Sequence, residues 1–548
     1  MKKKHKTKFI FVTGGVISGL GKGITAASIG KILTARGLSV SMQKCDPYLN
    51  LDAGTLNPGE HGEVFVTKDG AETDLDLGHY ERFIDTELTS KSSTMSGKIY
   101  AKVIDDERKG LFLGKTVQII PHITNEIMNQ IISSGGESDV HIVEVGGTVG
   151  DYEALAWVEA FRQMKRRVGA ENVLYAHVVY VPYFSISKEF KTKPVQNSVR
   201  DLREAGILPD ILCVRSDRPI GAEAFEKMSL FCDVDKEAIV ALPNAETVYE
   251  VPLRMEESGI GEYICSKLFL NCQKPDLKEW SSLVEKIKTP KPRLRIGIIA
   301  KYLSNEDTYM SVTEALRSAG WHHNVDVEIV WIDSEKLVSE LNALGNIDGM
   351  VVPGGFGSRG LEGKILAAKY ARENKLPYLG LCLGMQVAVI EFARVVLKDE
   401  TANSSEMDPD TKHPVIHIMP DQIGVDLGGS MRLGDYKAKV NRKSRSYLAY
   451  QKPSIVERHR HRYEFNNDYR DQLERAGLVI AATSPDGKLV EIVEHRDHPF
   501  FVASQFHPEF KSRPNRPHEL FKDFISSVKQ LSKNNLKSSG VLEINKAK

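Results

Sequence analysis

Short runs rich in Val and Ile recur along this chain, and several end in Gly. They are Phe9–Thr13, Leu38–Gln43, Val140–Val145, Val173–Val181, Ile211–Arg215 and Ala238–Leu242. A strand with one wet face alternates apolar and polar residues. These runs do not, so both of their faces must be covered, as in a parallel sheet flanked by helices. The pattern breaks at Asn271–Asp276. A short helix is expected at Leu277–Ile287, and Lys288–Pro292 then reads as a stiff extended connector. A second series starts at Leu294–Ala300. It continues through Val327–Ile332, Gly349–Val352, Pro377–Leu381, Val415–Ile418, Leu478–Ala482 and Phe500–Ser504. At 548 residues the chain is too long for one core. The expected fold class is α/β. A doubly wound, mostly parallel sheet with a P-loop-like nucleotide site spans residues 1–270, followed by a linker at 271–293. A second α/β domain with a nucleophile elbow spans 294–532, and a polar, disordered tail covers 533–548.

Charge excludes some functions. Lys plus Arg number 73, and so do Asp plus Glu, so no net field recruits nucleic acid or an anionic membrane. Met1–Lys8 followed by Phe9–Val12 opens like an export signal, but the apolar run is too short and Gly14-Gly15 ends it. No apolar stretch approaches the roughly 20 residues that span a bilayer. The cysteines are Cys45, Cys213, Cys232, Cys265, Cys272 and Cys382; they contain no CxxC pair. Reduced thiols and a cytoplasmic location are expected.

The run Phe9–Thr13 enters Gly14-Gly-Val-Ile-Ser-Gly-Leu-Gly-Lys-Gly-Ile-Thr25 and then an Ala-rich helical stretch. Glycines there let backbone N–H groups approach phosphate oxygens, while the helix N-terminus and Lys22 add positive potential. The P-loop match is imperfect, because Gly23 stands where Ser or Thr should follow the lysine. A plain glycine turn is the alternative. Glu144 lies inside the apolar run Val140–Val145, where a carboxylate needs a cation or donors. Beside a phosphate loop it is a candidate magnesium ligand; a structural ion pair is the other reading. The segment Lys191–Gln196 suits the anionic part of a second nucleotide, or is a solvated charged loop.

In the second half, the run Pro377–Leu381 enters Gly380-Leu-Cys-Leu-Gly384, and a helical stretch follows. This strand–elbow–helix pattern lifts a nucleophile clear of a sheet. Cys382 needs a base to favour its thiolate. His507 can be that base, and Glu509, expected on the same side of an extended segment, can orient it. The chemistry is acyl transfer through a thioester. His459 and His461 lie among arginines, which argues against a metal and for glutamine contact or surface packing.

From about Lys8 to Val528 the chain resembles the CTP synthase family. The resemblance rests on Phe11–Val16, Ser18–Gly23, Asp46-Pro-Tyr48, His61–Val66, Asp74–Phe83, Gly146–Asp151, Lys191–Pro194, Pro353–Gly357, Asp426–Gly429, Glu457–Tyr463 and Gln505–Glu509. It implies that UTP, ATP and L-glutamine give CTP, ADP, phosphate and glutamate. It also implies Mg2+, GTP as activator, CTP as feedback inhibitor, and a homotetramer. By the family's motifs, Ser18, Gly19, Leu20, Gly21, Lys22, Gly23 and Ile24 hold nucleotide phosphates, assisted by Lys44, and Asp76 and Glu144 bind magnesium. Asp151, Tyr152 and Glu153 contact CTP. Lys191, Thr192, Lys193, Pro194, Val195, Gln196 and Lys227 serve the UTP/CTP site, with Arg215 near the ATP base. Cys382, His507 and Glu509 are catalytic; Gly355, Leu383, Gly384, Met385, Gln386, Glu406 and Arg462 bind glutamine. His61 and Val64 match the constriction of an ammonia tunnel, and Leu113 matches a lid. The segment Met419–Val425 is shorter than in many relatives, and Tyr152 and Cys45 stand where relatives often differ. Two rival readings of the sequence are an amidoligase acting on a cofactor-ring carboxylate and an inactive filament-forming protein.

Overall fold

The computed structural model describes residues 7–303, 305–418 and 431–538. The short segment at 419–425, the Asp426 motif and the tail from 539 on lie outside the described residues. The chain forms two compact units. One holds the residues up to Ala53 together with Asp76–Lys288. The other holds Gly54–Leu75 and the residues from Thr289 on. The boundary therefore crosses the chain three times, because Gly54–Leu75 folds with the second unit.

The first unit is built on seven strands: β1 (Lys8–Gly14), β2 (Val40–Asp46), β3 (Ser93–Met95), β4 (Val140–Val145), β5 (Val173–Tyr180), β6 (Ile211–Ser216) and β7 (Ile239–Pro243). Their order is β7-β6-β5-β1-β4-β2-β3, and every pairing is parallel. All residues of β4 are buried, His141 and Glu144 included, as a strand covered on both faces requires. On one face Phe11 meets Phe161 with ring centroids 4.5 Å apart. Burial of each such aromatic contributes roughly 1.5–3 kcal/mol. The run that ends at Asp46 delivers Lys44 to the carboxyl end of the sheet, where β1 also ends in its glycine loop. The edge strand β3, Ser-Thr-Met, is too short and polar to announce itself in sequence.

The second unit has a nine-stranded sheet: β8 (Arg293–Ala300), β9 (Asp326–Asp333), β10 (Gly349–Val352), β11 (Tyr378–Leu381), β12 (Arg432–Val440), β13 (Ser454–His461), β14 (Leu478–Thr483), β15 (Val490–His495) and β16 (Phe501–Ser504). Their order is β9-β8-β10-β11-β16-β15-β14-β12-β13. Pairing is parallel from β9 to β16 and antiparallel from β16 to β13. Val415–Ile418, expected in this series, instead joins a separate three-stranded sheet with Asn403–Ser404 and Tyr463–Phe465. The C-terminal helix Glu519–Ser538 runs past Lys533, into the polar tail.

One expectation is overturned. Cys265 and Cys272 form a disulfide with their Cα atoms 6.3 Å apart, while the other four cysteines are free and buried. The helix Ile260–Lys267 ends with Phe269 at φ 53°, and Leu270 N–H returns to the Cys265 carbonyl at 2.9 Å. That left-handed cap folds the chain back, bringing together cysteines too far apart in sequence to read as a redox pair.

Candidate active sites

The second unit's site begins at the turn between β11 and the helix α1 (Leu383–Leu397). Cys382 occupies that turn with φ 53° and ψ −102°, a strained conformation for a residue with a Cβ. Its N–H donates to the Ser504 carbonyl on β16 at 2.7 Å, which pins the elbow to the sheet. The flanking glycines are required by close approach. A Cβ on Gly380 would lie 2.7 Å from the Gly384 backbone, and one on Gly384 would collide with the Val352 carbonyl oxygen. Strand and helix can meet this tightly only without side chains at those two places.

His507 follows β16. Its Nδ1 lies 2.7 Å from Glu509 Oε1, and its backbone N–H donates to the Arg458 carbonyl of β13 at 2.7 Å. Glu509 is not on an extended segment, because Pro508–Lys511 makes a 3-10 turn. The tight turn still returns the carboxylate to the ring. A Cβ on Gly354 would lie 2.9 Å from His507 Cε1 and 3.6 Å from Cys382 Cβ, so ring, thiol and the Pro353–Gly357 segment converge on one point. Burial disfavours the charged imidazole. The Glu509 carboxylate and the Cys382 sulfur outweigh it, and His507 is pushed up to about 10. The ring is therefore held protonated at neutral pH beside the Cys382 sulfur.

Around this centre Gln386 Nε2 donates to the Tyr463 carbonyl at 3.2 Å. Gly357 N–H donates to Glu406 Oε1 at 3.2 Å. Burial pushes the Glu406 carboxyl up, against that hydrogen bond and the charges of Lys301 and Arg462. Lys364 is fully buried and donates to the Pro353 carbonyl at 3.2 Å, and Lys301 donates to the Phe356 carbonyl. These two lysines grip the carbonyls on either side of Gly354-Gly355. Burial and Lys301 pull Lys364 down to about 7, and Cys382 opposes them.

In the first unit, Lys22 opens the helix that follows the glycine loop, and Gly19 and Gly21 take φ 72° and 81°. No side chain caps this helix and its first turn has no acidic residue, so its N-terminus is free for an anion. Lys22 Nζ donates to the Gly147 carbonyl at 2.6 Å. Burial lowers its pKa, opposed by Glu144. The departure from the P-loop pattern has a steric cause: a Cβ on Gly23 would run into the Asp76 carboxylate. Lys44 Nζ bridges Asp76 and Glu144, the latter at 3.0 Å, and Tyr80 donates its hydroxyl to Glu144. Burial pushes the Glu144 carboxyl up, and Lys44 opposes it. Burial likewise moves neighbouring Asp46 up to about 6.

The CTP synthase N-terminus profile matches residues 8–270, and the class-I glutamine amidotransferase profile matches residues 305–527. The CTP synthase of Carboxydothermus hydrogenoformans is 58% identical over 96% of this chain and 99% of its own length. The chain belongs to the CTP synthase family. The CTP synthase of Bacillus pumilus is 53% identical, again over 96% of this chain and 99% of its own. A solved structure, the Trypanosoma brucei CTPS glutaminase domain with bound acivicin, is 39% identical, with TM-score 0.41. It covers 43% of this chain and 94% of its own.

Other residues singled out by the CTP synthase motifs are spread more widely. Asp151 Oδ2 accepts from Thr148 N–H at 2.7 Å, in the segment that Lys22 also touches through Gly147. Tyr152 is 88% exposed and Glu153 is exposed. Lys191 pairs with Glu189 on a small exposed hairpin, and the charge of Lys227 reaches the same carboxylate. Thr192 precedes the helix Lys193–Glu204, with Pro194 in its first turn and Gln196 Nε2 donating to Thr192 Oγ1 at 3.1 Å. Ser198 of that helix lies against Gly15 of the glycine loop. Arg215 donates to the Leu242 carbonyl at 2.9 Å and to Asn244 at 3.1 Å, at the carboxyl ends of β6 and β7. His459 and His461 are not surface residues. Both are fully buried, 2.9 Å apart through Nδ1 and Nε2, with Arg432, Glu464 and Glu491 around them. Sequence reasoning missed Lys301 and Lys364. Glycine at 355 leaves room for the Lys301 Cε and the Lys364 ammonium, but neither a lysine just past a strand end nor one in a helix gives a sign of facing inward.

Proposed function

We propose that this chain aminates UTP to CTP, spending ATP and taking nitrogen from glutamine. Cys382 attacks the glutamine side-chain carbonyl and forms a thioester; His507, oriented by Glu509, delivers the proton that releases ammonia. Backbone N–H groups of Gly355 and Leu383 receive the oxyanion, each donor being worth about 10²–10³ in kcat. The grip of Lys364 and Lys301 on the neighbouring carbonyls holds that backbone in place. Glu406 suits the substrate's α-ammonium group and Arg462 its α-carboxylate. Leu383, Gly384, Met385 and Gln386 wall the pocket from the elbow side.

In the first unit the Ser18–Ile24 loop and Lys22 hold the ATP phosphates, and Lys44 steadies the transferring group. ATP phosphorylates O4 of UTP; ammonia then adds at C4 and phosphate leaves. Arg215 faces the ATP base. Lys191–Gln196 and Lys227 hold UTP, and Asp151, Tyr152 and Glu153 sense CTP as inhibitor. Asp76 and Glu144 suit Mg2+, which favours one or two carboxylates plus substrate phosphates. Both already pair with Lys44 Nζ. When bound, Mg2+ neutralises charge on the phosphates. GTP activation, a homotetramer, His61 and Val64 at a tunnel constriction, Leu113 as a lid and a cytoplasmic location complete the reading. No helix among the described residues is long and apolar enough to cross a membrane.

The observation that carries the reading is the pairing of a strained nucleophile elbow with an unblocked, lysine-flanked helix N-terminus in one chain. It is tested by following the absorbance change from UTP to CTP with ATP, glutamine and magnesium, then omitting each in turn. CTP formation should stop at every omission; formation without ATP contradicts the scheme.

A further inference from the structure

Gly54–Leu75 is flanked in sequence by residues of the nucleotide unit, yet it folds with the glutaminase unit. Its hold there is partly apolar, with the buried Phe65 ring centroid 5.0 Å from that of Phe510, and partly polar. The Glu63 carboxylate accepts from Ser311 N–H at 3.1 Å, and Thr308 Oγ1 donates to the Pro58 carbonyl at 2.9 Å. The Lys68 carbonyl accepts from Asp435 N–H at 2.8 Å. A Cβ on Gly70 would meet the Leu433 carbonyl oxygen at 2.8 Å, so this backbone approach demands glycine. Strand β13 supplies the rest: Arg458 Nη1 donates to the Val66 carbonyl at 3.1 Å, and Arg460 Nε donates to Glu72 Oε1 at 2.7 Å.

Arg460 stands apart from these contacts. Its Nη2 also reaches the Gly54 carbonyl at 3.4 Å, so one guanidinium holds the first residue of the excursion and Glu72 near its last. The same guanidinium lies over the Phe356 ring, 4.9 Å from its centroid, in the Pro353–Gly357 segment. The Arg460 carbonyl accepts from the Cys382 thiol at 3.7 Å. A single residue thus touches both ends of the excursion, the oxyanion segment and the nucleophile. In the chain, the residue after Leu75 is Asp76, which is bonded to Lys44 beside Glu144.

We propose that Arg460 is a positioning residue, and that its ion pair with Glu72 is the clasp through which nucleotide occupancy of the first unit sets the rate of glutamine hydrolysis. The inference rests on the function proposed above. Glu72 and Arg460 are both largely buried, so removing one charge strands the other where water cannot compensate it. The guanidinium then loses its charged anchor and keeps only the Gly54 carbonyl, and the segment that must present its N–H groups to the oxyanion loses its brace. A displacement that begins at Asp76 has covalent continuity to Glu72, and the planar fork of Arg460 converts it into a change at Phe356.

The test compares glutamate release from glutamine with and without ATP, UTP and magnesium chloride, in the unaltered protein, Glu72→Gln, Glu72→Asp and Arg460→Lys. Allosteric couplings run from about 5- to 150-fold, so the unaltered protein should respond by at least about 5-fold. Glu72→Gln and Arg460→Lys should respond by less than about 2-fold, and Glu72→Asp should keep most of the response. CTP formation from ammonium should be preserved in all four, which shows that the nucleotide unit is folded and active. A uniform drop in glutamine hydrolysis with the response intact would mean that Glu72 only stabilises the fold, and the clasp is then wrong. An unaltered protein that does not respond overturns it too. Should Glu72→Gln not fold, Arg460→Lys decides by the same two outcomes. If the unaltered protein makes no CTP from ammonium, UTP and ATP, the failure belongs to the underlying function.

Discussion

Cys382 and Gly23 show two ways in which a single position answers to its neighbours. Cys382 tolerates φ 53° because Ser504, Gly380 and Gly384 leave the elbow no other path. That role was legible in sequence, because a Gly-x-Cys-x-Gly run with a distant His-x-Glu needs no tertiary knowledge. Gly23 looked like a defect in a phosphate loop, and its reason, the Asp76 carboxylate against its Cα, lies more than fifty residues away. Restoring the consensus by Gly23→Ser should therefore damage the site. ATP-dependent CTP formation with ammonium is expected to fall by at least about 5-fold, since overpacking costs roughly 1–3 kcal/mol; unchanged activity contradicts the steric reading. His507 supplies a pH test. Its folded value of about 10 lies above the ordinary 6.5, so its contribution to stability is complete below about 6.5 and is lost as pH rises through about 10. In Glu509→Gln that contribution is reduced. The gap in urea midpoint between the unaltered protein and this variant should be widest near pH 6 and close towards pH 10; a gap that does not vary with pH contradicts it.

At the scale of elements, most of the parallel strands were readable because they are mainly apolar runs with both faces covered, as in β10, while the polar edge strand β3 was not. The antiparallel strands β12, β13 and β15 were not. β13 reads Ser-Ile-Val-Glu-Arg-His-Arg-His, which looks like a solvated segment, yet Glu457, Arg458, His459 and His461 are buried. Arg432 bridges Glu464 and Glu491 beside the histidine pair, and such compensation is invisible until the strands are aligned. For the same reason, surface packing was the wrong ground for placing those histidines. The strand–elbow–helix element makes its own prediction. Gly384→Ala pushes a methyl group into the Val352 carbonyl. It should cost roughly 1–3 kcal/mol of stability and sharply reduce glutamine-dependent activity. Thermal unfolding and glutamate release check both; an unaltered melting temperature would show that the helix can shift without cost.

For the molecule as a whole, the sequence foretold two α/β halves, and the structure adds that the first half lends Gly54–Leu75 to the second. Nothing in composition marks that loan, because its holding contacts, Glu63–Ser311, Lys68–Asp435 and Glu72–Arg460, join residues hundreds of positions apart. The family relationship covers 96% of the chain and ties the halves into one reaction. The central claim is that one half frees ammonia and the other consumes it on UTP. Cys382→Ala measures this most directly. Supplied with UTP, ATP and glutamine, the variant should lose at least about 10³-fold in CTP formation, as removal of a nucleophile does. Supplied with ammonium instead of glutamine, it should stay within about 2-fold of the unaltered protein, because the thiol has no part in the second step. A folded Cys382→Ala protein that remains active with glutamine, or is inactive with ammonium, contradicts the account.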